Sequence, residues 1–295
     1  MDKNKPKFAL FGNKYHLKEP RYINDLLSIL KKHGASLAVE SEFYQYITEI
    51  LGVSLNIDET ITDNDFTANY AISFGGDGTF LNTATRIGDK AIPIIGINTG
   101  RLGFLADIIP DDISGMMSAI FNGEYHIEKR SLLKVESTIQ PFIHHPYALN
   151  EVAVLKHDNS SMIRIDTTLD GNYLTTYQAD GLIVSTPTGS TGYSLSVGGP
   201  IVAPDSHSVV LTPVAAHSLN VRPIVLDDTI TIKLTVKSRN HNYLTAIDGR
   251  SISCSDSAEL KIRKAPFYIH VVKRNNVNFF DTLRNKLMWG IDQRN

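Results

Sequence analysis

A carboxylate set among three glycines, in the run FGGDGTFL at residues 74–81, is the feature that most constrains how this chain folds. The apolar run at residues 70–74 predicts a buried strand, and the residues from Thr79 onward predict a helix. Asp77 therefore falls in a strand-to-helix turn, where glycines let the backbone approach a ligand closely. An acid presented in this way suits a hydroxyl group or a metal ion, although an Asp-Gly turn without chemistry also fits these residues alone.

Strand-like and helix-like patterns alternate through the first part of the chain. Strands are predicted at residues 7–11, 36–39, 70–74 and 92–97, and helices at residues 23–32, 43–51 and 111–121. This alternation predicts a parallel sheet with crossover helices, that is, a Rossmann-like α/β domain. Ligands bind at the carboxyl ends of the strands in such a sheet. Polar turns follow three of these strands, at residues 12–13, 75–77 and 98–100, and we expect them to line one crevice.

From about Glu128 the chain changes to short runs rich in β-branched and aromatic residues. These runs lie at residues 132–137, 162–169, 181–185, 229–236, 243–247 and 260–263. Turn signals such as Asp170-Gly171 and Asp248-Gly249 occur between such runs, so this part is predicted to be an all-β, sandwich-like domain. A helical pattern returns at residues 281–291, and we expect this C-terminal helix to return to the first domain. The predicted domains are 1–127 with 276–295, and 128–275.

Composition limits the classes of function. The formal net charge of −2 over 295 residues argues against a large basic face for nucleic acid or acidic membranes. No apolar run approaches the roughly 18 residues of a membrane span, and the apolar stretch at residues 8–11 is too short for the core of a signal peptide. The single cysteine, Cys254, excludes an intrachain disulfide and fits a reducing compartment. We therefore expect a cytoplasmic protein that binds neither nucleic acid nor membrane.

Three further clusters of glycine and polar residues accompany apolar runs. They read GINTGRLGFL at residues 96–105, LNEV at 149–152 and DGLIVSTPTGSTGYSLSVGGP at 180–200. Consecutive Gly, Ser and Thr residues offer backbone N–H groups and hydroxyls that encircle a phosphate or a ribose. The chain has no P-loop, its first strand does not end in G-x-G-x-x-G, and no Cys/His cluster indicates zinc. Any nucleotide must therefore be held in another way.

Together these motifs resemble those of the NAD kinase family, in the family's order and over nearly the whole chain. The matching motifs are GGDGT at residues 75–79, NTG at 98–100 with LGF at 102–104, NE at 150–151, and TPTGSTGY at 186–193 with GGP at 198–200. GGDG alone is shared with phosphofructokinases and lipid kinases, whereas the four motifs together are specific. The resemblance implies an enzyme that transfers the γ-phosphate of ATP to the 2′-hydroxyl of the adenosine ribose of NAD, giving NADP.

The resemblance also implies a role for each matching residue. Asp77 would be the general base for the 2′-hydroxyl, and Gly78 would permit close approach of the dinucleotide. Asn150 and Glu151 would hold ribose hydroxyls, and Asp180 would bind a base amine. The other NAD-binding residues would be Thr191, Gly192, Tyr193, Ser194, Leu195, Ser196, Ala215 and Arg250. The residues that face the ATP phosphates would be Gly75, Gly76, Asn98, Thr99 and Gly100.

The same resemblance implies how the parts of the enzyme work together. The α/β domain would bind ATP and the all-β domain the dinucleotide. Mg²⁺ would accompany ATP and bridge its phosphates, and no residue is predicted to be a metal ligand of the protein itself. The assembly would be a homodimer or a homotetramer.

Some positions depart from the family's usual pattern. Gly192 stands where many relatives carry alanine, which should loosen its loop slightly. Gln178 and Ser161 stand where some relatives carry a basic residue or a histidine. Fewer cations near the dinucleotide would alter the affinity or the preference between NAD and NADH.

Two other functions fit part of the pattern. A kinase for a lipid or a sugar phosphate would share the GGDG turn, but Asn150, Glu151 and the loop at residues 188–193 argue against it. A non-catalytic dinucleotide sensor would have no evident need for Asp77.

Three conspicuous residues outside the motifs are expected to have ordinary roles. Lys129 and Arg130 are expected at the solvated surface. Trp289 is expected to be a packing anchor of the C-terminal helix.

Overall fold

The computed structural model describes residues 5–13, 19–100, 103–139, 145–157, 161–275 and 277–290 of the chain. The chain forms two compact units, Met1–Lys129 with Ile269–Asn295 and Arg130–Tyr268. The first is an α/β unit with a parallel sheet and the second is rich in antiparallel strands, as the sequence predicted. The finer assignment of residues 1–127 with 276–295 to one domain and 128–275 to the other stays a prediction.

Five strands of the first unit form a parallel sheet. They are β1 (Lys7–Gly12), β2 (Ser36–Glu40), β3 (Glu59–Ile61), β4 (Tyr70–Phe74) and β5 (Ile94–Ile97). Their order across the sheet is β5-β4-β1-β2-β3, and each neighbouring pair is parallel. The strands are almost continuous apolar runs because helices cover both faces of such a sheet. Leu10, Ile72 and Ile95 accordingly lie in one buried core with residues of the helices.

The helices between these strands occur where the sequence predicted them, with shifted ends. They are α1 (Pro20–Lys32), α2 (Ser41–Gln45), α3 (Asp77–Ile87) and α4 (Ile113–Asn122). The helix predicted at residues 43–51 is divided, because a π-helical turn at Tyr46–Ile50 continues α2. Gly123 ends α4 with a left-handed φ of 74°, the conformation that favours glycine at a helix C-terminus.

The strands between residues 125 and 274 form the two sheets of the second unit, which share one apolar core; residues 125–129 and 269–274 at the ends of this range belong to the first unit. The strands are β6 (Tyr125–Ser137), β7 (Tyr147–Ala148), β8 (Glu151–Lys156), β9 (Ile163–Leu169), β10 (Asn172–Ala179), β11 (Gly181–Ser185), β12 (Ser208–Val214), β13 (Ile224–Asp227), β14 (Ile232–Lys237), β15 (Asn242–Ile247), β16 (Arg250–Ser255) and β17 (Glu259–Arg274). One sheet has the order β13-β12-β11-β8-β15-β16, and in the other β10, β9, β14 and β17 are successive neighbours. Val154 and Val184 of the first sheet share a core with Ile165 and Leu234 of the second, so the predicted sandwich-like packing is confirmed.

Two further helices complete the described chain. The short α5 (Tyr193–Ser196) lies in the second unit, and the C-terminal α6 (Phe279–Leu287) belongs to the first unit, as predicted. A capping box begins α6, because the Asn278 side chain accepts the Asp281 N–H at 3.1 Å and the Asp281 carboxylate accepts the Asn278 N–H at 3.4 Å. Residue 291, the predicted end of this helix, lies outside the described residues. None of the described helices combines the length and the hydropathy needed to cross a membrane.

Two expectations about single residues were wrong. Trp289 is 56% exposed and is therefore no packing anchor, because α6 ends before it and Met288 adopts a left-handed conformation. Arg130 is only 6% exposed, whereas its neighbour Lys129 is exposed as expected. The Arg130 side chain points inward because successive residues of a strand face opposite sides, and its Nη1 lies 3.5 Å from the Thr188 hydroxyl.

Candidate functional site

Asp77 is the first residue of α3 and follows the carboxyl end of β4, which lies between β5 and β1 in the sheet. Its Oδ2 accepts a hydrogen bond from the Phe104 N–H at 2.8 Å, and its Oδ1 accepts the Leu105 and Ala106 N–H groups, both at 3.0 Å. The carboxylate does not cap α3, since the N-cap is Gly76 and makes no side-chain bond. A carboxylate has about four lone-pair positions, so one position on Oδ2 is left for a further partner.

The turn after β5 lies directly against the turn after β4. The Thr99 N–H donates to the Gly75 carbonyl at 3.3 Å, and the Gly75 N–H donates to the Ile97 carbonyl at 2.9 Å. Buried Asn98 holds the next segment, because its Nδ2 donates to the Ala106 carbonyl at 3.0 Å. The structure thus brings together Gly75, Asn98 and Thr99, three of the five residues predicted to face phosphates, whereas Arg101 and Leu102 of this motif lie outside the described residues.

The same end of the first unit contains a cavity of about 440 Å³. Its lining includes one of the three predicted polar turns, Gly12 and Asn13, and also Gly78, which follows the second turn; it includes none of the described residues 75–77 and 98–100. The complete lining is Phe11, Gly12, Asn13, Glu40, Glu42, Phe43, Gly78, Thr79, Asn82, Thr83 and Arg86. This volume lies in the usual range for small-molecule sites.

Several polar residues of the cavity were not predicted from the sequence. Glu40 ends β2, and its Oε2 accepts the Phe43 N–H at 3.0 Å. Asn82 and Arg86 lie one helical turn apart on α3, and an Arg86 Nη2 donates to the Asp63 carbonyl at 2.8 Å. Their positions could have predicted them from the sequence. Glu40 ends a parallel strand, where ligands bind, and Asn82 and Arg86 are i,i+4 neighbours that share one face of a helix.

In the second unit a single carboxylate holds the backbone of the Asn150-Glu151 motif. The Asp248 carboxylate accepts the N–H groups of Leu149, Asn150 and Glu151 at 2.7, 2.8 and 3.1 Å. Asp248 has a left-handed φ of 47°, and Gly249 follows with a φ of 79°. The sequence indicated only a turn at Asp248-Gly249. The contact between this turn and the Asn150-Glu151 motif joins residues that are far apart along the chain, so no local pattern predicts it.

The side chains of this motif are buried and incompletely bonded. Asn150 Oδ1 and Glu151 Oε2 have no hydrogen-bond partner among the described residues. Burial and, to a smaller extent, the charge of Asp248 raise the pKa of Glu151 to about 7, against the opposing effect of the Tyr193 N–H. Buried polar atoms are normally paired, so these two oxygens are positioned for a ligand.

The hydroxyl-rich loop packs directly on the Asn150-Glu151 motif. A Cβ atom at Gly189 would lie 2.1 Å from the Asn150 carbonyl oxygen, so only glycine fits there. A Cβ atom at Gly192 would lie 3.0 Å from Glu151 Oε2, which is tight but not impossible. The structure therefore brings Gly192 and Tyr193 to Asn150 and Glu151, as expected of one binding site.

The residues around α5 divide into inward-facing and exposed ones. Ser194 is fully buried, and its hydroxyl lies 2.8 Å from the Thr212 hydroxyl. Tyr193 is more exposed and Thr191 donates to the Thr188 carbonyl at 3.3 Å. Their predicted contacts with a dinucleotide, and those of Leu195 and Ser196, stay predictions.

Three other predicted residues lie at strand ends of the same unit. The Asp180 N–H donates to the Val214 carbonyl at 2.9 Å, which places Asp180 beside Ala215, and the Asp180 carboxylate pairs with Lys156 at 2.8 Å. Ala215 has a left-handed φ of 47°, an unfavourable conformation for alanine that is often found at functional sites. Arg250 begins β16 and donates to the Tyr147 carbonyl at 3.4 Å.

Within the described ranges no group of three or more His, Cys, Asp and Glu side chains could hold a metal ion. A divalent ion bound to nucleotide phosphates does not require such a group, because Mg²⁺ takes one or two carboxylates together with substrate oxygens.

The chain is similar to known proteins over nearly its whole length. The ATP-NAD kinase N-terminal domain matches residues 8–125, and the ATP-NAD kinase C-terminal domain matches residues 149–274. An NAD kinase of Bacteroides fragilis is 52% identical over 288 residues, which are 98% of this chain and 99% of that protein. An NAD kinase of Porphyromonas gingivalis is 42% identical over 96% of this chain and 98% of its own.

Solved structures with a similar fold include two kinases. An NAD kinase from Archaeoglobus fulgidus in complex with ATP has a TM-score of 0.75 and 25% identity, covering 96% of this chain and 98% of that chain. Yeast NADH kinase complexed with NADH has a TM-score of 0.86 and 20% identity, covering 99% of this chain and 90% of that chain. At 20% identity, the similarity to yeast NADH kinase concerns the fold alone.

Proposed function

The chain belongs to the ATP-NAD kinase family and phosphorylates NAD to NADP with ATP, and we propose that Asp77 is the general base of this reaction. The observation that carries the proposal is the rigid placement of this carboxylate. Three backbone N–H groups hold it, and one lone-pair position on Oδ2 is left to accept a proton. A positioned base of this kind contributes about 10²–10⁴-fold to a rate.

In this mechanism Asp77 accepts the proton of the ribose 2′-hydroxyl. The 2′-oxygen forms a bond to the γ-phosphorus of ATP, the bond between that phosphorus and the β–γ bridging oxygen breaks, and ADP leaves. Phosphoryl transfer requires positioning and charge stabilisation more than covalent help. The first N–H groups of α3, which include that of Gly78, precede the intrahelical hydrogen bonds and suit the phosphate oxygens of ATP.

The cavity beside α3 is our proposed site for the adenosine part of ATP. It has room for a nucleoside, and Gly78 and Thr79 in its wall are the immediate neighbours of Asp77. Phe11 and Phe43 supply apolar surface, whereas Glu40 and Asn82 supply groups that bond hydroxyls or a base. The turn of Asn98, Thr99 and Gly100 contacts Gly75 and would face the phosphates.

Mg²⁺ enters this proposal as part of the MgATP substrate. It would bridge the phosphates and neutralise charge on the transferred group.

For NAD we propose the residues of the second unit that the family resemblance implies. Asn150 and Glu151 would bind ribose hydroxyls, which is supported by their buried, unpartnered oxygens. Asp180 would bind a base amine, and Asp77 and Gly78 would meet the 2′-hydroxyl. The remaining contacts would come from Thr191, Gly192, Tyr193, Ser194, Leu195, Ser196, Ala215 and Arg250.

We further propose that the enzyme is a cytoplasmic homodimer or homotetramer. The compartment is supported by the single, buried and free Cys254. The oligomeric state rests on the family resemblance alone. Sedimentation at micromolar concentration checks it, and a purely monomeric species would contradict the proposal.

The test of the function measures NADP formation from NAD and MgATP in the wild-type protein and in Asp77→Asn. The variant should lose at least 100-fold in kcat and should bind NAD with unchanged affinity in a calorimeter. Diacylglycerol and fructose 6-phosphate, offered as acceptors, should give no product. Turnover of Asp77→Asn close to the wild-type rate would remove Asp77 from the role of base.

A further inference from the structure

The C-terminal helix α6 contains a lysine whose ammonium group is buried. The Nζ atom of Lys286, on α6, is buried and makes no hydrogen bond to any described residue. It lies 4.8 Å from the centre of the Phe104 ring. A cation–π contact of this kind replaces only part of the hydration that a buried ammonium loses, so the site favours an anionic partner.

The surroundings of Lys286 connect it with the proposed base. Phe104 donates its N–H to Asp77, and the charges of Asp77 and Asp107 both act on the Lys286 ammonium. Asp107 already has a partner, because the Lys273 ammonium lies 2.5 Å from its Oδ2 and the two side chains are only 13% and 7% exposed. The Asp77 oxygens are largely occupied by backbone N–H groups. Lys286 is therefore the cation of this cluster that has hydrogen bonds to give.

The electrostatic balance of the cluster agrees with this geometry. Burial, with a smaller contribution from the nearby Lys273, lowers the pKa of Lys286 to about 8, although the carboxylates Asp77 and Asp107 oppose this shift. The carboxylates thus do not fully compensate the lost hydration. An anionic phosphate bound next to Lys286 would compensate the lost hydration and would keep the lysine protonated.

The fold holds Lys286 in place independently of any ligand. The capping box of Asn278 and Asp281 fixes the start of α6, and Leu283 is the buried apolar contact of the helix. Lys286 follows Leu283 by three residues and so lies on the same face. The lysine is consequently presented by a helix and not by a mobile terminus.

We propose that Lys286 donates hydrogen bonds to the γ-phosphate of ATP and stabilises it during transfer. The chain has no P-loop lysine, and a lysine aimed at the transferred group performs that electrostatic task. This inference rests on the proposed phosphoryl transfer at Asp77. It makes the C-terminal helix part of the catalytic machinery of the first unit.

The experiment compares Lys286→Met and Lys286→Arg with the wild-type protein. Lys286→Met keeps the apolar stem over Phe104 and removes the charge, so kcat/KM for ATP should fall at least 30-fold while KM for NAD stays within twofold. Lys286→Arg should recover part of the loss. Arg284→Met is the matched control, because Arg284 is exposed on the same helix and pairs with Asp281; the activity of this variant should be unchanged.

A binding measurement without NAD separates phosphate contact from structural support. In the presence of Mg²⁺, Lys286→Met should bind ATP about tenfold more weakly than the wild type and ADP with nearly unchanged affinity. Unchanged ATP binding and turnover, or equal weakening of ATP and ADP with a lower Tm, would overturn the inference. The role of Asp77 is judged separately by the turnover of Asp77→Asn, so either proposal can fail while the other stands.

Discussion

A Cβ atom at Gly103 would lie 1.9 Å from Oδ1 of Asp77, closer than any real non-bonded contact. Gly103 precedes the three residues whose N–H groups hold that carboxylate. The loop can therefore clamp Asp77 only if the residue at its start has no side chain. This makes the glycine of the second motif and the acid of the first motif one structural unit.

Replacing Gly103 with alanine should impair catalysis through Asp77. The added methyl must push the carboxylate or the 104–106 segment away, so kcat should fall by about 10²-fold or more. NADP formation under saturating NAD and ATP measures this loss. In an Asp77→Asn background the same substitution should cost little further activity, because both changes act on one group. If the activity losses of the two substitutions multiply in the double variant, Gly103 does not act through Asp77.

Filling the cavity beside α3 should weaken ATP binding selectively. Asn82 lines the cavity and its side chain is exposed, so Asn82→Trp is expected to occupy the space without disturbing the core. KM for ATP should rise about tenfold or more, equivalent to roughly 1.4 kcal/mol, while KM for NAD changes little. Asp25→Trp, on the exposed face of α1, is the control and should leave both constants unchanged. Equal effects of the two substitutions would rule out the cavity as the ATP site.

Glu151 should make the stability of the protein depend on pH. Its pKa is about 7 in the folded chain and near 4.5 in the unfolded chain, so the folded state holds the extra proton between these values. The free energy of unfolding should therefore fall as pH rises from about 4.5 to 7, by an amount on the order of 3 kcal/mol. Below pH 4.5 both states are protonated and this contribution is constant.

Urea unfolding at several pH values, followed by circular dichroism, measures this dependence. Glu151→Gln mimics the protonated acid and should remove the fall in stability between pH 4.5 and 7. Glu49→Gln, an exposed position on the first unit, should retain the wild-type dependence. If Glu151→Gln and the wild type show parallel pH profiles, the raised pKa of Glu151 is wrong.

The fold class could be predicted because strand and helix periodicity is a local property. The parallel strands at residues 70–74 and 92–97 and the antiparallel strand at 181–185 appear close to their predicted bounds. The turn after β4 and the turn after β5 were expected to meet because parallel strands end at one edge, and the Thr99–Gly75 bond confirms their contact. Helix ends were less accurate, since the π-helical turn after α2 has no distinct residue signature.

Other parts of the candidate site left no local signal. Asp248 was recognised only as a turn residue, although its carboxylate holds the backbone of Asn150 and Glu151. The burial of Arg130 and the exposure of Trp289 were both predicted wrongly. The side of the sheet to which a strand residue points and the residue at which α6 ends both depend on packing. Such features arise from contacts between distant parts of the chain, and residue type alone does not encode them.

The sequence by itself determined that Asp77 stands in a glycine turn between a buried strand and a helix, because hydrophobic period and glycine chemistry act over a few neighbouring residues. Only the tertiary structure decided what surrounds this carboxylate. Three N–H groups of residues 104–106 hold it, and a lysine of the C-terminal helix lies beside it. Those partners come from separate elements, and their meeting depends on how the helices pack on the parallel sheet.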